Sequence, residues 1–117
     1  PSNPIASIGP ILSIREIKSA LRKVACPVIA VSPIIRGAPL KGPADKFMSG
    51  LGLEVSATGV AKFYKGLIDH LVIDEADAEL EGEIRSMGID VCVTNTVMNT
   101  LEDKIRLAKT ILRAGDN

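Results

Sequence analysis

Pro27-Val28-Ile29-Ala30-Val31-Ser32 is a short apolar run closed by prolines, Pro27 before it and Pro33 after it. A half-exposed strand alternates apolar and polar residues. An unbroken apolar run of this length instead suits a strand covered on both faces, as in a parallel sheet. His70-Leu71-Val72-Ile73-Asp74 and Ile89-Asp90-Val91-Cys92-Val93-Thr94 read the same way. Strands that alternate with helices imply right-handed crossovers onto a parallel sheet. The expected fold class is α/β, a Rossmann-like three-layer domain with a mostly parallel sheet and helices on both faces, present here as a partial domain.

The helical segments mark their own ends. Ser13-Ile14-Arg15-Glu16 has the pattern of a capping box, with Ile14, Ile17, Leu21 and Val24 at helical spacing behind it, which predicts a helix over 14–25. Leu80, Ile84 and Met87 share a stripe that stops at Gly88, which predicts a helix over 77–87. Leu101, Ile105, Ala108 and Leu112 predict another over 100–114, capped by Asn99 or Thr100. Shorter helices are expected over 44–50 and 57–67, where glycines interrupt the pattern. The stretch 33–68 is longer than an ordinary crossover. It is expected to form a helical lobe near the active site.

The chain opens on the polar loop Pro1-Ser2-Asn3-Pro4 with no Met. The expectation is that residues 1–117 are the carboxy-terminal part of a single larger domain. With aromatic residues at 3%, no stacking platform for single-stranded nucleic acid is available. Fourteen basic and fourteen acidic residues cancel, which argues against a nucleic-acid or membrane field. No apolar run approaches the ~20 residues that span a bilayer. Cys26 and Cys92 lie in or beside apolar segments and are expected as buried free thiols, in keeping with a cytoplasmic location.

In open α/β sheets, ligands bind beyond the carboxyl ends of the strands. Four segments should gather there: 1–9, 32–45, 74–77 and 94–100. In the first, Ser7 is positioned to cap a short helix over Ile8-Gly9-Pro10-Ile11-Leu12, with free amides and a helix dipole that attract phosphate oxygens. An ordinary capped turn has the same composition. In Lys41-Gly42-Pro43-Ala44-Asp45, Lys41 is a candidate phosphate partner and Asp45 a candidate helix cap; the alternative is a solvated loop. Thr94-Asn95-Thr96 offers hydroxyls and an amide, or simply closes a turn. Asp74, Glu75 and Asp77 could hold a metal or supply negative charge at a helix start. His70, the only histidine, reads as structural, and no zinc cluster, nucleophile elbow or P-loop is present.

Pro1-Ser2-Asn3-Pro4-Ile5-Ala6-Ser7-Ile8-Gly9-Pro10-Ile11-Leu12 resembles the signature of the 2-phospho-L-lactate transferase family of coenzyme F-420 biosynthesis. Leu40-Lys41-Gly42-Pro43-Ala44-Asp45-Lys46, Leu71-Val72-Ile73-Asp74 and Val93-Thr94-Asn95-Thr96 continue the resemblance across the chain. The resemblance implies transfer of a 2-phospholactyl group from lactyl-diphospho-guanosine, or its enolpyruvyl analogue, to the hydroxyl of the deazaflavin precursor Fo. GMP is released and Mg²⁺ is the implied cofactor. On that reading Ser2, Asn3, Ser7, Ile8 and Gly9 are expected to contact the guanosine diphosphate, Lys41 and Asp45 to serve as phosphate partner and loop anchor, and Thr94, Asn95 and Thr96 to wall the nucleotide or acceptor pocket. The general base and metal ligands are expected in an amino-terminal portion that this chain lacks, so the fragment is expected to be inactive alone. A homodimer is compatible with the resemblance, although no helix demands one. The competing reading is a non-catalytic, nucleotide-sugar-binding regulator of the gluconeogenesis factor type. The Lys41–Asp45 segment favours the transferase.

Overall fold

The computed structural model describes residues 1–116. A π-helical turn over Pro4–Ile8 runs into α1 (Gly9–Leu12), followed by α2 (Arg15–Lys23) and β1 (Ile29–Val31). Next come β2 (Ile34–Ile35), β3 (Ala38–Pro39), α3 (Ala44–Gly50) and α4 (Ala57–Tyr64). The chain ends with β4 (His70–Asp74), a 3₁₀ segment (Glu75–Leu80), α5 (Glu81–Arg85), β5 (Asp90–Thr94) and α6 (Leu101–Gly115).

β1, β4 and β5 form a parallel sheet in the order β1-β4-β5, with Val31 beside Val72 and Val72 beside Cys92. The expected α/β, Rossmann-like architecture is therefore present in part. Period-2 alternation sends Leu71 and Ile73 of the central strand to one face and Val72 to the other. On the first face Leu71 and Ile73 join Met48, Val60, Ala61 and Ile84 from α3, α4 and α5 in one apolar core. Each such side chain contributes about 1.5–3 kcal/mol on burial. α6 packs on β4 and β5, and its buried residue is Leu107. Among the described residues, no helix is long and apolar enough to cross a membrane.

The stretch 33–68 holds an antiparallel hairpin, β2–β3, followed by α3 and α4. Its two-residue turn places Arg36 at φ 49° and Gly37 at φ 80°. Two positive φ angles in succession match the twist of a tight hairpin. The Arg36 amide donates to both carboxylate oxygens of Asp77 at 3.1 Å each, which offsets the strain of a left-handed non-glycine residue.

Several local expectations are corrected. The Ser13–Glu16 capping box does not form: the Ser13 hydroxyl donates to the Pro10 carbonyl (2.6 Å), and α2 starts from Ile14 without a side-chain cap. The helix expected over 77–87 is 3₁₀ as far as Leu80 and α-helical only over Glu81–Arg85, with Asp77 itself off helical angles. The helix expected over 57–67 ends at Tyr64, ahead of Gly66 at φ 84°. Cys26 is an exposed free thiol and not a buried one, because it sits in the loop between α2 and β1; Cys92 is half-buried and free. β1, expected to be covered on both faces, is only half-buried, and among the described residues β4 is the one strand bonded to it. On α6 the stripe of Leu101, Ile105 and Leu112 faces outward, while Leu107 faces in.

Candidate functional site

A cavity of about 510 Å³ lies beyond the carboxyl ends of β1 and β5. The residues just after β1 contribute Ser32 and Pro33 to its wall, and the β2–β3 hairpin with its following loop contributes Ile35, Leu40 and Lys41. The loop after β5 contributes Thr96, Val97, Met98 and Asn99, and Pro1 closes the rim. The position is where an open α/β sheet binds its ligands. Lys41 is exposed and forms no ion pair among the described residues. Among the described residues it is the one cationic side chain on a wall that also carries two hydroxyls and an amide.

Asp74 does not line this cavity but holds Thr96, which does. It ends β4 almost fully buried, at 5% exposure. One carboxylate oxygen accepts from the Ala76 amide at 2.9 Å. The other accepts from the Thr96 amide at 2.9 Å and the Thr96 hydroxyl at 3.0 Å. Burial pushes the Asp74 carboxyl upward, but the Ala76 and Thr96 amides, the Thr96 hydroxyl and the Arg36 charge outweigh it. They hold the group below the usual aspartate range. Asn95 caps its own turn by accepting from the Val97 amide (2.9 Å), and Arg106 of α6 donates to the Asn95 carbonyl (2.7 Å). The loop is thus held from both ends before any ligand arrives. Ser32 is similarly locked: its hydroxyl accepts from the Ile34 amide at 3.2 Å.

The amino-terminal segment is arranged differently from the expectation. Ser7 is not a helix cap. Asn3 is, its side-chain oxygen accepting from the amides of Ile5 (2.9 Å) and Ala6 (3.1 Å), with Pro4 in the first position. The Ser7 and Ile8 amides donate to the Asn3 carbonyl at 3.0 and 3.2 Å, and the Gly9 amide donates to the Pro4 carbonyl. The amides of residues 7–9 are therefore engaged within the helix and are not aimed at a ligand. The physical reason is legible in Asn3-Pro4 itself. A residue before proline is held extended, and proline at the first helical position costs no hydrogen bond.

Of the residues singled out from the sequence, Lys41 and Thr96 line the cavity together. Ser2 and Ile8 line an adjoining apolar groove that shares Pro1 with it. Asn3, Ser7, Gly9, Asp45, Thr94 and Asn95 line neither. Asp45 is not a cap, since it lies within the first turn of α3, which has no side-chain cap. Ser32, Leu40, Val97, Met98 and Asn99 were not anticipated individually. Their signal was positional: each follows the end of a strand or precedes a helix.

Asp74 and Asp77 do not make a metal centre. Both carboxylates are occupied by backbone donors, and among the described residues no three His, Cys, Asp or Glu side chains converge. His70 lies at the opposite, amino end of β4 and takes no part in the cavity.

Comparison with known proteins now bears on this geometry. Residues 1–110 match the family model described as 2-phospho-L-lactate transferase CofD. The 2-phospho-L-lactate transferase of Methanocaldococcus jannaschii is 49% identical over 112 residues, which cover 96% of this chain and 34% of that protein. That of Methanothermobacter thermautotrophicus is 47% identical, over 96% of this chain and 36% of its own length. One from Methanococcus maripaludis is 49% identical over the same share of the chain. The chain thus spans about a third of the length of these relatives. The match runs through both the Pro1–Leu12 segment and the Lys41 loop, and on that basis the chain belongs to the 2-phospho-L-lactate transferase CofD family.

Proposed function

We propose that the full-length enzyme containing this chain transfers the 2-phospholactyl group of lactyl-diphospho-guanosine to the primary hydroxyl of Fo. In the transfer, the Fo oxygen attacks the phospholactyl phosphorus. The bond from that phosphorus to the bridging diphosphate oxygen breaks, GMP leaves, and the hydroxyl proton is lost to a base outside this chain. The observation that carries the reading is the cavity at the strand ends, with Lys41, Thr96 and Ser32 all on its wall, in a chain of this family.

Charge builds on the phosphorus oxygens and on the departing GMP during such an attack. Lys41 is the residue of this chain best suited to hold the donor diphosphate, and the Thr96 and Asn99 side chains complete its polar wall. Ser2 and Ile8, at the adjoining groove, border the nucleoside. Asn3, Ser7 and Gly9 act through the shape of the first turn. Asp45 anchors the Lys41 loop, and Thr94 and Asn95 hold the wall. Mg²⁺, implied by the family resemblance, belongs in this reading to residues outside the chain, since the Asp74 carboxylate, which holds the cavity wall at Thr96, is already engaged.

The test is to supply the full-length enzyme with lactyl-diphospho-guanosine, Fo and Mg²⁺ and to follow GMP and the phospholactyl product by chromatography. Formation of both in equal amounts supports the transfer. Tight binding of a uridine nucleotide sugar without turnover would favour the regulator instead.

A further inference from the structure

Apart from Pro1, the cavity wall at the strand ends comes from two stretches far apart in sequence, within 32–41 and 96–99. The end of β4 and the turn after it grip both, although neither Asp74 nor Asp77 lines the cavity. Asp74 holds the second stretch through the Thr96 amide and hydroxyl. Asp77 holds the first: both of its carboxylate oxygens accept from the Arg36 amide at 3.1 Å, across 41 positions of sequence.

The Arg36 contact reaches Lys41 through the build of the hairpin. β2 and β3 pair over two residues each, Ile34 with Pro39 and Ile35 with Ala38. A ribbon that short has too few ladder bonds to fix its own course. Its base is fixed by Ile34, which is fully buried and whose amide donates to the Ser32 hydroxyl. Its turn is pinned from outside, by Asp77. Leu40 and Lys41 follow directly on β3, so the setting of the turn carries through to the Lys41 position.

Two unfavourable features meet at this contact. Arg36, at φ 49°, is the one non-glycine residue with a positive φ among the described residues. Asp77 is almost fully buried, at 3% exposure, and among the described residues the Arg36 amide is the one hydrogen-bond donor to its side chain. A strained turn residue and a buried carboxylate with a single donor are each costly, and such features cluster where a binding loop must be held in one geometry.

Resting on the diphosphate reading of the cavity, we infer that Asp77 is a positioning residue for donor binding: it pins the β2–β3 turn and, through the hairpin, holds Lys41 in reach of the diphosphate. Asp77 touches no ligand itself. Asp74 does the corresponding work for Thr96, so one short segment sets both stretches of the wall.

The experiment is a double-mutant cycle on the full-length enzyme, with GDP affinity measured by titration calorimetry. Asp77→Ala should weaken GDP binding at least fivefold. Asp77→Asn, which keeps one oxygen for the Arg36 amide, should weaken it no more than twofold. In the Lys41→Gln background, Asp77→Ala should add less than twofold, because the cation it positions is gone. A general loss of structure would instead weaken binding equally in both backgrounds. If Asp77→Ala does not fold, Asp77→Glu takes its place in the cycle with the same criteria, since it keeps the charge and moves the oxygens by one methylene. Equal losses in the two backgrounds, an Asp77→Asn enzyme as weak as Asp77→Ala, or unchanged affinity in folded Asp77→Ala while Lys41→Gln binds weakly would overturn the positioning role alone. Unchanged affinity in Lys41→Gln itself would overturn the diphosphate reading, and the positioning role with it.

Discussion

Thr96 is tied to Asp74 by two hydrogen bonds on a single carboxylate oxygen, from its amide at 2.9 Å and from its hydroxyl at 3.0 Å. The pair joins the end of the central strand to the loop that walls the cavity. Removing the carboxylate strands a buried amide and frees the loop. Asp74→Ala is expected to destabilise the chain by about 1–3 kcal/mol, the cost of leaving a buried donor unpaired. Urea denaturation measures it, and a loss below a few tenths of a kcal/mol would contradict the assigned role.

The same carboxylate sets an acid limit. Asp74 and Asp103 both sit below the usual aspartate range. At Asp74 burial opposes the shift and the Ala76 and Thr96 hydrogen bonds outweigh it; at Asp103 the Asn99 and Thr100 amides are the main cause. A depressed folded-state pKa adds stability that is complete above the unfolded value, about 4, and is lost as pH falls through the folded value. Unfolding free energy should therefore decline below about pH 4. Asp74→Asn should flatten that decline relative to the unaltered chain.

Tyr64 gives the complementary alkaline limit. It is the only tyrosine, and burial raises its pKa to about 12. A raised folded-state value means that its contribution is intact below the unfolded value, about 10, and is lost as pH rises toward the folded one. Ultraviolet titration of the phenol should give a midpoint near 12, with a midpoint near 10 only after unfolding.

Two glycines in helices should respond in opposite directions to alanine. A Cβ on Gly59 would overlap the Glu54 carbonyl oxygen, part of the rigid entry into α4, whereas a Cβ on Gly82 in α5 meets nothing within 4 Å. Gly59→Ala is expected to destabilise by about 1–3 kcal/mol through overpacking. Gly82→Ala should stabilise by about 0.5–1 kcal/mol through helix propensity. Thermal unfolding of the two variants side by side checks both signs.

Much of this architecture was legible in residue order. The apolar runs around Ile29, Val72 and Val91 became the parallel strands, and 44–50 became α3 with the expected ends. The Thr100 cap of α6 was one of two candidates, and it forms a reciprocal capping box with Asp103. The start of the chain was misread because Ser7 and Asn3 are equally good caps by composition. The proline after Asn3 decides between them, through its fixed φ and missing N–H. Helical spacing located the apolar stripes of α2 and α6 but could not say which side would meet the sheet. The convergence of Ser32, Lys41 and Thr96 was not legible either. It depends on the Val31–Val72–Cys92 register and on the reach of Asp74 across two loops.

The most direct test of the central claim is the affinity of the full-length enzyme for GDP, measured by titration calorimetry with Lys41 intact and as Lys41→Gln. Lys41 is exposed and forms no ion pair among the described residues, so the substitution should leave the melting temperature unchanged. The diphosphate reading calls for at least tenfold weaker binding, about 1.4 kcal/mol. Unchanged affinity in the folded variant would show that the diphosphate does not lie in the cavity between Lys41 and Thr96.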